Sequence, residues 1–115
     1  MKSIEIFTDG GCKGNPGPGG YGCIIRGGGN VLELKGSDPQ TTNNIMEMTA
    51  AIVALKELSQ PYQVTLTTDS QYLVKGITEW IHGWIKKSWM TASRQPVKNK
   101  ELWQELHSLS KKHKI

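Results

Sequence analysis

The chain has 115 residues, 37% hydrophobic and 21% charged, with a formal net charge of +4. That is enough for one domain with a continuous core and too little for a second globular unit, and no apolar run is long enough to span a bilayer. The opening residues Met1–Glu5 lack the basic start and long apolar stretch of a signal peptide, so a cytosolic setting with reduced thiols is expected. Cys12 and Cys23 have no partner pair at zinc spacing and read as small apolar side chains.

In chain order, Ile4–Asp9 has the length and β-branched content of a strand, with Asp9 at its terminus. The stretch from Gly10 to Gly20 is so rich in Gly and Pro that a structured loop is expected. Tyr21–Ile25 and Val31–Lys35 read as further strands about a Gly27–Asn30 turn, which predicts three consecutive antiparallel strands. From Asn43 the period becomes helical, with Ile45, Met48, Ile52, Leu55 and Leu58 on one face, and Asn43 or Asn44 as the cap. Glu47 lies on the edge of that face beside Ala50, Ala51 and Ala54, where little bulk separates it from a sheet. After Gln60-Pro61, Val64–Asp69 reads as a second strand ending in aspartate, and Ser70 is placed to cap the next helix.

If that strand runs parallel to the first through the crossover helix, Asp9, Asp69 and Glu47 converge on one carboxyl edge. Two strand-end aspartates and a helix glutamate are a donor set suited to a hard cation such as magnesium, which bridges carboxylates to phosphate.

Trp80, Ile81, Trp84 and Ile85 fit another helical stripe ending at Lys86-Lys87, and a loop runs through Ser93–Pro96 to Asn99. Leu102, Trp103, Leu106 and Leu109 mark a last helix with Asn99 as its cap and Glu101 near its positive end. The tryptophans suit a core at this spacing, the usual fate of such aromatics, and beside Lys86 and Lys87 they also suit a surface that stacks on bases. His82, His107 and His113 pair with no other ligand type and read as surface residues.

Charge is unevenly spread. Residues 80–115 hold Lys86, Lys87, Arg94, Lys98, Lys100, Lys111, Lys112 and Lys114 against Glu101 and Glu105, a net of +6, which leaves −2 for the part that carries the three acids. This division suits a nucleic-acid partner, with lysines on phosphate and carboxylates on metal, and charge alone fits a solvated basic face as well. Gly17-Pro-Gly19-Gly-Tyr-Gly22 matches a dinucleotide-binding glycine pattern, but Pro16 and Pro18 interrupt it and strand-like sequence follows where a helix is required. A P-loop also fails, since Gly14 rather than Ser or Thr follows Lys13.

Four ordered motifs carry a resemblance. The strand and glycine segment Ile4–Gly20, the helix start Thr42–Ala50, Thr68-Asp-Ser-Gln-Tyr72 and Trp80-Ile-His-Gly-Trp84 resemble the bacterial-type (type 1) ribonucleases H over essentially the whole chain. The resemblance implies an α/β, ribonuclease-H-like mixed sheet of three antiparallel strands plus one parallel strand, with flanking helices. It further implies hydrolysis of the RNA strand of an RNA–DNA hybrid to 3′-hydroxyl and 5′-phosphate ends. Asp9 would bridge two magnesium ions, with manganese as the substitute, while Glu47 and Asp69 complete the metal beside the leaving oxygen.

By the same resemblance, Cys12, Gly14, Asn15, Asn43, Asn44 and Gln71 lie along the RNA strand, where 2′-hydroxyls distinguish it from DNA. Thr42, Trp80 and Trp84 face the DNA strand, and Lys86, Lys87, Arg94 and Lys98 form a basic protrusion whose grip fades with salt. The family continues with a fifth strand, a histidine-bearing loop and a final helix bearing a fourth carboxylate. Residues 1–115 are accordingly expected to be one C-terminally incomplete domain, with Lys114-Ile115 starting the missing strand and the edge beside Val64–Asp69 left open. Such an edge invites a second copy or a complementing chain. A cleaving nuclease, a hybrid-binding module that does not cut efficiently, and a fragment of a longer enzyme are the three functions that follow.

Overall fold

The computed structural model describes residues 2–14, 16–91 and 93–111. Strands β1 (Lys2–Cys12), β2 (Gly17–Gly27) and β3 (Asn30–Thr41) form an antiparallel meander, helix α1 (Asn43–Glu57) crosses over, and β4 (Tyr62–Thr68) returns parallel to β1. Sheet order is β3-β2-β1-β4, so β4 has an open edge among the described residues. Helix α2 (Gln71–Lys75), a π-helical turn (Gly76–Trp80) and α3 (Ile81–Lys86) follow without a break, and α4 (Lys100–Ser110) closes the described chain. No described helix is long and apolar enough to cross a membrane.

The segment expected to be a loop is mostly strand. Gly10, Gly11 and Cys12 pair with Tyr21, Gly20 and Gly19, which leaves only residues 13–16 between the strands, and Asp9 sits inside β1 opposite Gly22 rather than at its end. Glycine weakens a strand but allows close approach, and here that approach decides the structure. A Cβ on Gly19 would stand 2.6 Å from the Thr41 methyl, and one on Gly10 would stand 2.7 Å from the Met46 carbonyl carbon. Strand β3 likewise outruns its expected end at Lys35 and passes through Pro39, which an edge strand tolerates.

The helix cap also differs. Thr42, not Asn43 or Asn44, caps α1, its Oγ1 accepting from Ile45 N at 3.2 Å, while Asn43 Oδ1 accepts from Cys12 N at 2.8 Å. Ser70 caps α2 as expected, accepting from Leu73 N at 3.1 Å. Asn99 stands at the cap position of α4 in a left-handed conformation, but makes no capping side-chain bond and donates to the Tyr72 hydroxyl instead.

Helix α1 lays Met48, Ala51, Ile52 and Leu55 on Ile6, Cys23, Ile25 and Val64 of the sheet, and Trp103, Leu106 and Leu109 of α4 extend this core. Complete burial of a side chain such as Ile6 contributes about 1.5–3 kcal/mol. Cys23 is buried and Cys12 half-buried, and neither is in a disulfide among the described residues. The opposite sheet face, with Phe7 and Ile24, carries open clefts.

Candidate active site

Parallel pairing brings Thr8 level with Thr68, so Asp9 and Asp69 each directly follow the last residue pair between β1 and β4. Gly10 lets the start of α1 approach β1 at backbone distance, which carries Glu47 to the same edge. There its Oε1 accepts from Gly10 N at 3.2 Å and its Oε2 from Thr68 Oγ1 at 3.3 Å, while Thr68 Oγ1 also accepts from Ser70 N at 3.1 Å. Glu47 is buried, whereas Asp9 and Asp69 are exposed.

Burial pushes the Glu47 carboxyl above its ordinary value of 4.5; the Gly10 and Thr68 hydrogen bonds pull it down, and the charges of Asp9 and Asp69 push it up again. The charges of both aspartates therefore reach Glu47. The three acids do not form a closed ligand group, for among the described residues no three His, Cys, Asp or Glu side chains are gathered closely enough to hold an ion. The donor set itself, three carboxylates and nothing softer, fits a hard divalent cation, which would relieve their repulsion.

A pH dependence follows from the raised Glu47. A buried acid binds its proton more tightly folded than unfolded, so stability falls as pH rises from about 4.5 through the higher folded value. Glu47→Gln is expected to raise the metal-free melting temperature at pH 7, with the advantage vanishing below about pH 4.5, where both states of the parent are protonated. Melting curves across that range check it.

The expected substrate-contact residues fall into two groups. Cys12 and Gly14 adjoin the end of β1, tied to α1 by the Cys12–Asn43 bond, with the Cys12 thiol donating to Gly14 O at 2.7 Å. Thr42, half-buried Asn44 and exposed Gln71 lie at the adjoining starts of α1 and α2, and Asn15 falls outside the described residues. The second group lies further along the chain. Trp80, 38% exposed, and Trp84 stand 6.0 Å apart between ring centroids and line a cleft of about 590 Å³ with Glu79, Lys87 and Met90. Lys86, Lys87, Arg94 and Lys98 are all exposed on α3 and the loop beyond it.

The alternatives left open for the tryptophans divide between them. Trp103 is wholly core, Trp84 packs partly against it, and Trp80 is the surface ring. Of the histidines, His82 is exposed as expected, His107 is half-buried, and His113 lies outside the described residues. Gly10 and Thr68, which hold Glu47, lie within two of the motifs that carry the resemblance but were not singled out as site residues.

A parallel β1–β4 pair joined through α1 and flanked by an antiparallel meander defines the α/β, ribonuclease-H-like class of proteins. The RNase H family model matches residues 1–115. A ribonuclease H of Geotalea uraniireducens is 62% identical over 112 residues, covering 97% of this chain and 76% of that protein. One from Hydrogenovibrio crunogenus is 56% identical over 115 residues, covering all of this chain and 79% of its own length.

Among solved structures, LC9-RNase H1, described as a type 1 RNase H with the type 2 active-site motif, superposes with a TM-score of 0.83 at 32% identity. That match covers 98% of this chain and 60% of the other. LC11-RNase H1 in complex with an RNA/DNA hybrid gives a TM-score of 0.71 at 28% identity, covering 96% and 78%. The chain belongs to the RNase H family. It spans about three quarters of the length of these two bacterial relatives and 60% of LC9-RNase H1.

Proposed function

We propose that this chain hydrolyses the RNA strand of RNA–DNA hybrids, using magnesium, or manganese in its place, held by Asp9, Glu47 and Asp69. The observation that carries this reading is the placement of Glu47 between the Gly10 amide and the Thr68 hydroxyl, beside two exposed aspartates at one sheet edge. When bound, the cation activates water and offsets charge on the phosphate. Gly10 and Thr68 hold Glu47 at the edge so that it need not be ordered during the reaction, and exposed Asp9 and Asp69 are free to turn toward it. The Cys12, Gly14, Asn15, Asn43, Asn44 and Gln71 group receives the RNA strand, where 2′-hydroxyls give discrimination, and Thr42, Trp80 and Trp84 receive the DNA strand. Lys86, Lys87, Arg94 and Lys98 hold backbone phosphate.

The relative of 28% identity that was solved with an RNA/DNA hybrid supports this choice of substrate. The open β4 edge is where a second copy or complementing chain would complete the sheet. A second reading, a hybrid-binding module that does not cut, is favoured by one observation, the acids not being gathered into a ligand group.

Incubation of the purified chain with labelled hybrid, single-stranded RNA, duplex RNA and duplex DNA distinguishes the two readings. Magnesium-dependent cleavage of the hybrid alone, abolished by chelator, is the expected result. Hybrid binding with no cleavage in either magnesium or manganese establishes the binding module instead.

A further inference from the structure

Two clefts on the outer face of the sheet share Asp9, Gly22 and Lys35. The strand register explains why, since Asp9 of β1 pairs with Gly22 of β2, and Gly22 pairs with Lys35 of β3. The three stand in one row across the sheet, and the middle one has no side chain. The next row toward the end of β1 repeats the pattern with Gly11, Gly20 and Ser37. The result is a trough of about 750 Å³, floored by glycine, with Asp9 on one wall and Lys35 and Ser37 on the other.

Packing does not demand glycine at position 22. A Cβ there would meet only the Leu34 carbonyl oxygen, at 3.8 Å, an ordinary contact. A side chain at that position would block the path between Asp9 and Lys35. Arg26, on this same face, is already engaged, paired with Glu5 at 3.3 Å and lying 5.4 Å from the centroid of the Phe7 ring. Lys35 makes no ion pair among the described residues and is exposed. Its backbone stands about 10 Å from that of Asp9, twice the usual strand spacing. The flexible four-carbon stem of lysine covers much of that span. An unpaired ammonium beside a hydroxyl, above exposed backbone, is suited to a phosphate oxygen and would offset the repulsion that Asp9 exerts on it.

We propose that Lys35 is a substrate-binding residue that holds a backbone phosphate of the nucleic-acid strand lying in this glycine-floored trough beside Asp9. The assignment rests on the hybrid-directed reading given above, and binding can be read apart from cleavage. Anisotropy of a fluorescein-labelled RNA–DNA hybrid, in chelator and across about 50–200 mM salt, measures both affinity and its salt slope. Lys35→Met is expected to weaken binding about 3–10-fold and make the slope of log affinity against log salt shallower by about 0.9, the signature of one lost phosphate contact. Lys35→Arg should retain both. Gly22→Val should weaken binding at an unchanged melting temperature by filling the trough.

Equal affinity and slope for Lys35→Met and the parent overturn the proposal. So does tighter magnesium binding by Lys35→Met in calorimetry with hybrid affinity unchanged, since Lys35 would then act on the ion. If the parent binds hybrid and loses affinity with Lys35→Met but never cleaves, the nuclease reading fails and this assignment stands. A parent that does not bind hybrid overturns both.

Discussion

Asp9→Asn is expected to lower hybrid cleavage by about 10³-fold or more, roughly 4 kcal/mol of transition-state stabilisation, while leaving the fold unchanged. Asp9 is exposed, so the amide leaves no cavity and strands no buried partner. What it removes is one of the three carboxylates of the candidate site, and a hard cation bridging protein to phosphate depends on anionic oxygen. The charge of Asp9 also contributes to the raised Glu47 carboxyl, so its removal eases repulsion within the site. Hybrid affinity in chelator should therefore be equal or higher, because a carboxylate facing phosphate has been neutralised. Cleavage assays, melting curves and anisotropy on the same preparation check the three parts together. Cleavage within tenfold of the parent would remove Asp9 from the centre of the reaction.

The sequence was most legible where one physical rule acted alone. The helical period of α1 and the β-branched run of β4 place both elements to within two residues, although α1 is buried well beyond its predicted stripe and β4 ends at Thr68, one residue short of Asp69. The placing of Asp9 and Asp69 just beyond the last β1–β4 pair, with Glu47 on the helix between, followed from a crossover joining two parallel strands, a topological constraint that needs no side-chain detail. Legibility ended where several residues satisfied one rule. Thr41, Thr42, Asn43 and Asn44 are all capping types in a row, and tertiary contact chose among them: Asn43 is drawn to Cys12 N, which leaves Thr42 for Ile45 N.

Glycines obscured the rest. Gly10 and Gly11 carry no alternation to read and have poor strand propensity, yet both pair with β2, and the backbone of α1 packs where a side chain on Gly10 would be. The Asp9–Gly22–Lys35 row is a property of register, and no local pattern in β2 or β3 announces it.

The largest effect on stability should come from Trp103, whose ring is fully buried at the junction of α4, α2 and the π-helical turn. Its centroid lies 5.2 Å from that of Tyr72 and 5.5 Å from that of Trp84, and its Nε1 donates to the Tyr72 hydroxyl at 3.2 Å. Asn99 Nδ2 donates to the same hydroxyl at 3.2 Å, so one oxygen links the start of α4 to α2. Trp103→Ala is expected to cost about 3–5 kcal/mol through lost transfer and an unfilled cavity. The loss should also loosen Trp84 and Trp80, because that aromatic chain is anchored on Trp103, and weaken hybrid binding at temperatures where the chain is still folded.

Gly76 tests the same junction from the opposite side. An added Cβ would run into the Trp103 ring within the π-helical turn, so Gly76→Ala, ordinarily favourable in a helix, should destabilise here by about 1–3 kcal/mol. Tyr72→Phe removes only the shared acceptor and should cost less than Trp103→Ala, since two donors lose a partner but no volume is lost. Urea unfolding of the three variants, ordered Trp103→Ala, Gly76→Ala, Tyr72→Phe from least to most stable, is the expected outcome. A Gly76→Ala variant as stable as the parent would show that the ring can move, and that the aromatic surface beside Lys87 is not held by packing beneath it.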